Sequence, residues 1–236
     1  MPTGPHDKDS QAQAAASLLE SVRLVAVHYG LWFAETVHQF GIEKALEAEA
    51  RAGGLAQRLA LKRLCGGENP FASLPAERLE ELRGELAKLW LGLDGVWFQA
   101  VESLEGMEGA KRVNDTCWAR FAPLEALRLK ALLSLPEACG LDGLEAALRE
   151  RFNSRINEIE IAREPGALTL RLVDCRVQSA RRRKGLADYP CKSAGVTEYS
   201  HFARFVDPRL ETLCLACPPD PLDEGRFCSW RFTLKS

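Results

Sequence analysis

With 236 residues, 31 of them basic and 33 acidic, the chain carries a formal charge of −2 at neutral pH. No global field draws such a protein to nucleic acid or to an anionic membrane surface. Its 46% apolar content is that of an ordinary globular protein, long enough for one large domain or two small ones. No apolar run reaches the roughly 18 residues that a membrane span needs. The opening MPTGPHDKDSQAQ has neither the basic patch nor the apolar stretch of a signal peptide. Residues 1–13 are therefore expected to form a loose tail on a cytoplasmic protein.

The first elements read as helices, and they are duplicated. SLLESVRLVAVHYGLWFAETVHQF places Leu18, Val22, Val25, Tyr29, Trp32 and Phe33 near a period of 3.6, and Gly41 can end the run. A second helix follows to about Leu64, and GGENPFASLP breaks the chain. At a constant offset of 65 residues, Gly30 meets Gly95, Trp32 meets Trp97 and Phe33 meets Phe98, and in the same register Gly41, Glu43 and Ala45 meet Gly106, Glu108 and Ala110. An ungapped register of this kind predicts a repeated helical hairpin. The second copy runs from about Ala76 to Leu135, with Pro123 expected to interrupt its last helix. LDGLEAALRERFN, entered from Gly140, is a fifth helix.

From residue 156 the period changes from helix to strand. INEIEIA and ALTLRLVDC alternate around EPG and predict an antiparallel hairpin. AGVTEYSHFARFVD reads as a helix stopped before Pro208, and LETLCLACP and FCSWRFTL as two further strands. The expected fold is α+β: duplicated helical hairpins over residues 14–135, packed on a C-terminal antiparallel sheet with flanking helices over residues 136–236.

Eight cysteines in a cytoplasmic chain are expected to be reduced thiols, metal ligands or core residues rather than a disulfide framework. Cys214, Cys217 and Cys228 surround the proline-rich loop PPDPLDEGRF, and Cys191 lies in YPCKS upstream. If the last two strands form a hairpin, Cys217 and Cys228 face each other at the mouth of that loop, near enough to share a metal. In an unbroken strand Cys214 points to the other face, unless a bulge turns it. Three readings stay open at this point: a metal site, a redox or catalytic thiol pair, or inert packed cysteines. The C-x22-C-x2-C-x10-C spacing is neither a standard zinc ribbon nor a full cluster-binding pattern, so zinc and an iron–sulfur cluster are both candidates.

Two other constellations carry polar chemistry. His28, Glu35 and His38 share one region of the first helix, with Glu35-x-x-His38 an i,i+3 pair. The second copy has Ala100 and Ser103 at the latter two places, which argues against a two-metal bundle centre. A ligand pocket using His28, Glu35 and His38, with Glu102 and Asp115, competes with plain interhelical hydrogen bonding. Residues 171–192 hold seven basic and two acidic side chains. Within this segment Arg176, Gln178, Arg181, Arg182 and Lys192 are candidates for binding a small anionic molecule, against the alternative of a solvated loop. No aromatic residues interleave with these arginines, which disfavours a nucleic-acid strand.

With HYGLWFAETVHQFG, DGVWFQAVESLEGMEGAKRVNDTCWARF, DCRVQSARRRKGLADYPCKSAG and CLACPPD…FCSW in order, the chain resembles a family of bacterial cytosolic proteins, mostly from anaerobes, whose domain carries no assigned function. The C-terminal part is more distantly similar to the L-2-amino-thiazoline-4-carboxylic acid hydrolase family and to the 4-vinyl-reductase ligand-binding domains. Both end in a cysteine-rich hairpin and a short strand of the type seen here as CSWRF, Cys228 to Phe232. That likeness implies a small-molecule pocket beside the cysteines. The functional expectation is a small-molecule or metal-binding protein, as an enzyme a metal- or thiol-dependent C–N hydrolase. The alternative is a non-catalytic sensor or interaction module.

Overall fold

The computed structural model describes residues 5–185, 187–221 and 227–235. The chain divides into two compact units, Met1–Asn69 and Pro70–Ser236. The division expected from the sequence lay at residue 135.

The first unit is a helical hairpin of α1 (Pro5–Phe40) and α2 (Ile42–Leu64). The stretch from residue 5 to 13, expected as a loose tail, already belongs to α1; residues 1–4 lie outside the described residues. Gly41 makes the corner with φ 85° and ψ 168°, a combination essentially confined to glycine. Ala45 and Leu46 are buried at the turn, and the Tyr29 hydroxyl donates across the hairpin to Glu49 at 3.2 Å.

The second unit opens with α3 (Ala76–Leu132), which bends at Gly106 with φ 73° and ψ 175°. The two glycines matched by the 65-residue offset thus adopt the same backbone conformation. The alanines four residues further on, Ala45 and Ala110, are both sealed in. The arms of this copy are held by aromatic rings instead of Tyr29: Trp90 meets Trp118 at 5.9 Å and Phe121 at 6.1 Å between ring centroids. Pro123 does not interrupt the helix; Gly106 is the one non-helical position inside α3. Proline removes a single ladder bond, and its buried ring packs in the core that holds the second arm in place.

Next come α4 (Gly140–Glu150), α5 (Phe152–Ile156), β1 (Glu158–Glu164), β2 (Ala167–Asp174), α6 (Arg176–Arg183), α7 (Lys192–Val206), β3 (Leu210–Ala216) and β4 (Cys228–Leu234). The α+β expectation holds: the four strands form one antiparallel sheet in the order β1-β2-β4-β3. The basic segment expected as a loop is partly the short helix α6. Leu141, Leu144, Ala147 and Leu148 of α4 and Tyr199, Phe202, Ala203 and Val206 of α7 recur at helical spacing. They bury against Leu168, Leu170, Trp230 and Phe232 of the central strands. Where α7 ends, the sealed carboxylate of Asp207 accepts the Gly140 amide at 2.8 Å and the Arg209 guanidinium at 2.7 Å. This ties the start of α4 to the end of α7. No described helix is long and apolar enough to cross a membrane.

Candidate metal centre and ligand cavity

Strand register brings the cysteines together. Cys214 is opposite Trp230, but a shift between Cys214 and Ala216 sets Ala216 opposite Ser229. The extra residue is a bulge, and it advances the pairing by one, so that Cys217 arrives opposite Cys228. Their Sγ atoms are 3.2 Å apart. Cys191, the residue before α7, brings its Sγ to 3.6 Å from that of Cys217. The three sulfurs all lie within 4.8 Å of one another, and among the described residues they are the group able to hold a metal ion. None is in a disulfide.

Cys214 stays outside the trio. The bulge also corrects its expected orientation: opposite the inward Trp230, Cys214 shares the inner face, while Leu213 and Leu215 are exposed.

A frame of hydrogen bonds fixes Cys191. The buried Gln178 side chain donates to the Tyr189 carbonyl at 2.8 Å and accepts the Tyr189 amide at 2.8 Å. Its Nε2 also stands 3.6 Å from the Cys191 sulfur. On the strand side, Asp220 accepts the Cys217 amide at 3.3 Å and pairs with Lys192 at 2.8 Å. Gln178 and Lys192, expected to touch a ligand, hold the loops that carry the cysteines, and Gln178 also lines the cavity described below.

Hydrogen bonds from Cys217 and then Cys228 pull the Cys191 thiol well below the ordinary thiol range. The bond to Cys191 pushes the other two up. The trio therefore shares one negative charge readily and resists two more, as three coupled thiols do.

The sulfurs lie at the wall of a cavity of about 560 Å³ within the second unit. Trp90, Phe98 and Trp118 of α3 line one side, and Tyr199 and Trp230 another. Tyr199 and Trp230 are stacked with centroids 4.8 Å apart. Arg176, Arg181, Arg183 and Lys184 reach the cavity from α6 and its end, and Asp94 and Glu102 from α3. Arg182 instead forms a bidentate pair with Asp188 at 2.6 and 2.9 Å and lies over Phe227.

The remaining sequence candidates are elsewhere. His28, Glu35 and His38 are exposed on α1 of the first unit, where His28 meets Trp32 edge-on and Glu35 accepts from Gln39 at 2.6 Å. Asp115 is on α3 with Oδ1 buried and without a hydrogen-bond partner. Cavity residues that sequence reading passed over include Cys175, whose thiol burial pushes up to about 11, Asn153 and Glu198. Glu198 was discernible in principle, since it falls seven residues after Cys191 on one helix face.

The second unit is thus an α+β domain with three convergent thiols beside an aromatic-lined cavity. Residues 72–234 match a family described as a family of unknown function, DUF6125. With well over half of the chain matched, the protein belongs to that family. No curated protein and no solved structure matches it.

Proposed function

We propose that this protein binds a small molecule at a single metal ion held by Cys191, Cys217 and Cys228. The observation that carries the reading is the separation of the sulfurs. Tetrahedral coordination with metal–sulfur bonds of ~2.3 Å requires sulfur–sulfur distances of about 3.8 Å, and the trio offers 3.6 and 3.2 Å within a 4.8 Å envelope. A small adjustment around an ion, chiefly an opening of the Cys217–Cys228 pair by about 0.6 Å, satisfies this. An iron–sulfur cluster fits less well. The cysteines of a four-iron, four-sulfur cluster ligate separate irons and stand further apart, and those of a two-iron, two-sulfur cluster come as two pairs rather than one trio. Soft thiolate donors and tetrahedral spacing favour zinc.

Three protein ligands leave a fourth position for water or ligand, the pattern of reactive rather than structural zinc sites. As an enzyme the protein would be a C–N hydrolase: a metal held by Cys191, Cys217 and Cys228 would supply Lewis-acid activation of water, and Arg176 and Arg181 would hold an anionic group of the substrate. A sensor with the same centre would bind the ligand without turnover.

Cobalt(II) loading tests this reading. The metal should bind one per chain with thiolate charge-transfer bands, and azide or imidazole should shift the visible bands by entering the fourth position. A cobalt spectrum unmoved by either would show a closed structural site, and the absence of thiolate bands would remove the centre altogether.

A further inference from the structure

Seven residues after Cys191, the same face of α7 brings a second functional group to the cavity. Cys191, Gly195 and Glu198 follow one another at i, i+4 and i+7, a column about 10 Å long, and all three line the cavity. Glu198 is 6% exposed. A carboxylate so enclosed needs compensating donors. Its Oε1 meets Arg151 Nη1 at 2.8 Å and accepts from Asn153 Nδ2 at 3.1 Å. Both contacts fall on one oxygen, and Asn153 is itself a cavity residue.

The guanidinium beside it is shared. Arg151, 1% exposed, donates from Nε to Glu125 at 2.8 Å and brings Nη2 to 2.7 Å from the same oxygen. Two buried carboxylates thus divide one cation, and the pair carries one positive charge fewer than it could use. Burial accordingly raises the Glu198 pKa, and Glu125 adds to the rise. Elsewhere in the cavity wall, the indole N–H of the buried Trp230 has no hydrogen-bond partner. Buried polar groups are normally satisfied, so this indole offers a donor to an acceptor on a polar guest, while Glu198 offers an acceptor.

We propose that Glu198, with Asn153 beside it, binds the N–H donor end of the cavity's ligand, an amine or amidine whose donor is received by Oε2. This deepens the small-molecule reading and rests on it only for the cavity being a ligand site; it does not depend on the metal. The donor supplies the positive charge that the Glu125–Arg151–Glu198 cluster lacks. It also separates the roles of the acids in the wall: Asp94 and Glu102 are half-buried on α3, whereas Glu198 is enclosed and its interaction is less screened.

Benzylamine and its neutral isostere benzyl alcohol are the probes, with binding to the full chain followed by calorimetry and by fluorescence of the cavity tryptophans. The wild type should prefer the amine by about tenfold or more, a margin of ~1.4 kcal/mol. Glu198→Gln, whose amide oxygen can still accept from Arg151 and Asn153, should bring the ratio to near one, and Glu198→Asp should keep part of it. Asp94→Asn and Glu102→Gln should keep the preference. Cys217→Ser should keep it too, which separates this pole from amine coordination to a metal and from failure of the metal reading. A preference that survives Glu198→Gln in folded protein, that disappears in Cys217→Ser, or that is absent from the wild type would overturn the proposal. Failure of both probes to bind at millimolar concentration would do the same.

Discussion

Replacing Gly195 with alanine would put a methyl group into the wall that carries the site. The added Cβ would stand 2.6 Å from Cζ2 and 3.0 Å from Cη2 of Trp230, and 3.7 Å from the Cys217 sulfur. Carbon atoms rest about 3.5–4.0 Å apart, so the indole would have to retreat by roughly 1 Å. Its burial, at 1% exposed, and its stacking on Tyr199 both resist that shift. Overpacking of this kind costs ~1–3 kcal/mol, while alanine in a helix regains up to ~1 kcal/mol over glycine. A net loss of about 1 kcal/mol is expected. Gly92 on α3 is the internal control, because a Cβ there meets nothing within 4 Å; Gly92→Ala should gain up to ~1 kcal/mol. The same substitution at two helical glycines should therefore differ by about 2 kcal/mol, read as opposite shifts in urea midpoint at constant slope. Gly195→Ala should also weaken metal uptake, since the displaced ring lies beside Cys217. Equal stabilisation by both alanines would refute the packing described here.

Alanine at Gly41 or Gly106 should cost ~1–3 kcal/mol each, because both corners use glycine-only backbone angles; an unchanged urea midpoint for either would contradict a shared hairpin corner. Arg151→Met should cost ~3–5 kcal/mol by leaving Glu125 and Glu198 unpaired, and the loss should shrink when both acids are changed to glutamine as well. Asp207 is held well below the usual carboxylate range, first by Arg209 and also by the Gly140 amide. Its folded form keeps the charge where the unfolded carboxyl, near pH ~3.9, takes up a proton. The stability it contributes is therefore whole above that pH and lost as pH falls toward the folded value. In Asp207→Asn the acid side of the stability curve should flatten, and a curve parallel to wild type would exclude the linkage.

Much of the architecture was legible in the sequence because it depends on local rules. The 65-residue register identified the corners at Gly41 and Gly106, since no other residue tolerates their angles. Alternation around EPG predicted β1 and β2, and helical spacing of apolar residues predicted α4 and α7. Helix α6 was hidden: its RVQSARRR sequence has almost no apolar face, and what fixes it is the buried Gln178 gripping Tyr189, a tertiary contact. Pro123 was expected to break α3, yet burial of the second arm outweighs one missing ladder bond. At the site, the facing of Cys217 and Cys228 followed from a hairpin around their loop. The place of Cys214 did not, because one bulge residue reverses the inward set of a strand and leaves no mark on the alternation before it. Glu198 escaped because a helical carboxylate reads as solvated until the fold supplies Arg151 beneath it.

The most direct test of the central claim is the metal content of protein purified without oxygen, measured for wild type, Cys217→Ser and Cys214→Ser. One equivalent of a thiophilic metal, zinc foremost, is expected in the wild type and in Cys214→Ser, falling to a small fraction in Cys217→Ser. Metal-free wild type that takes up none when offered it, or equal occupancy in all three proteins, would contradict a centre built from Cys191, Cys217 and Cys228.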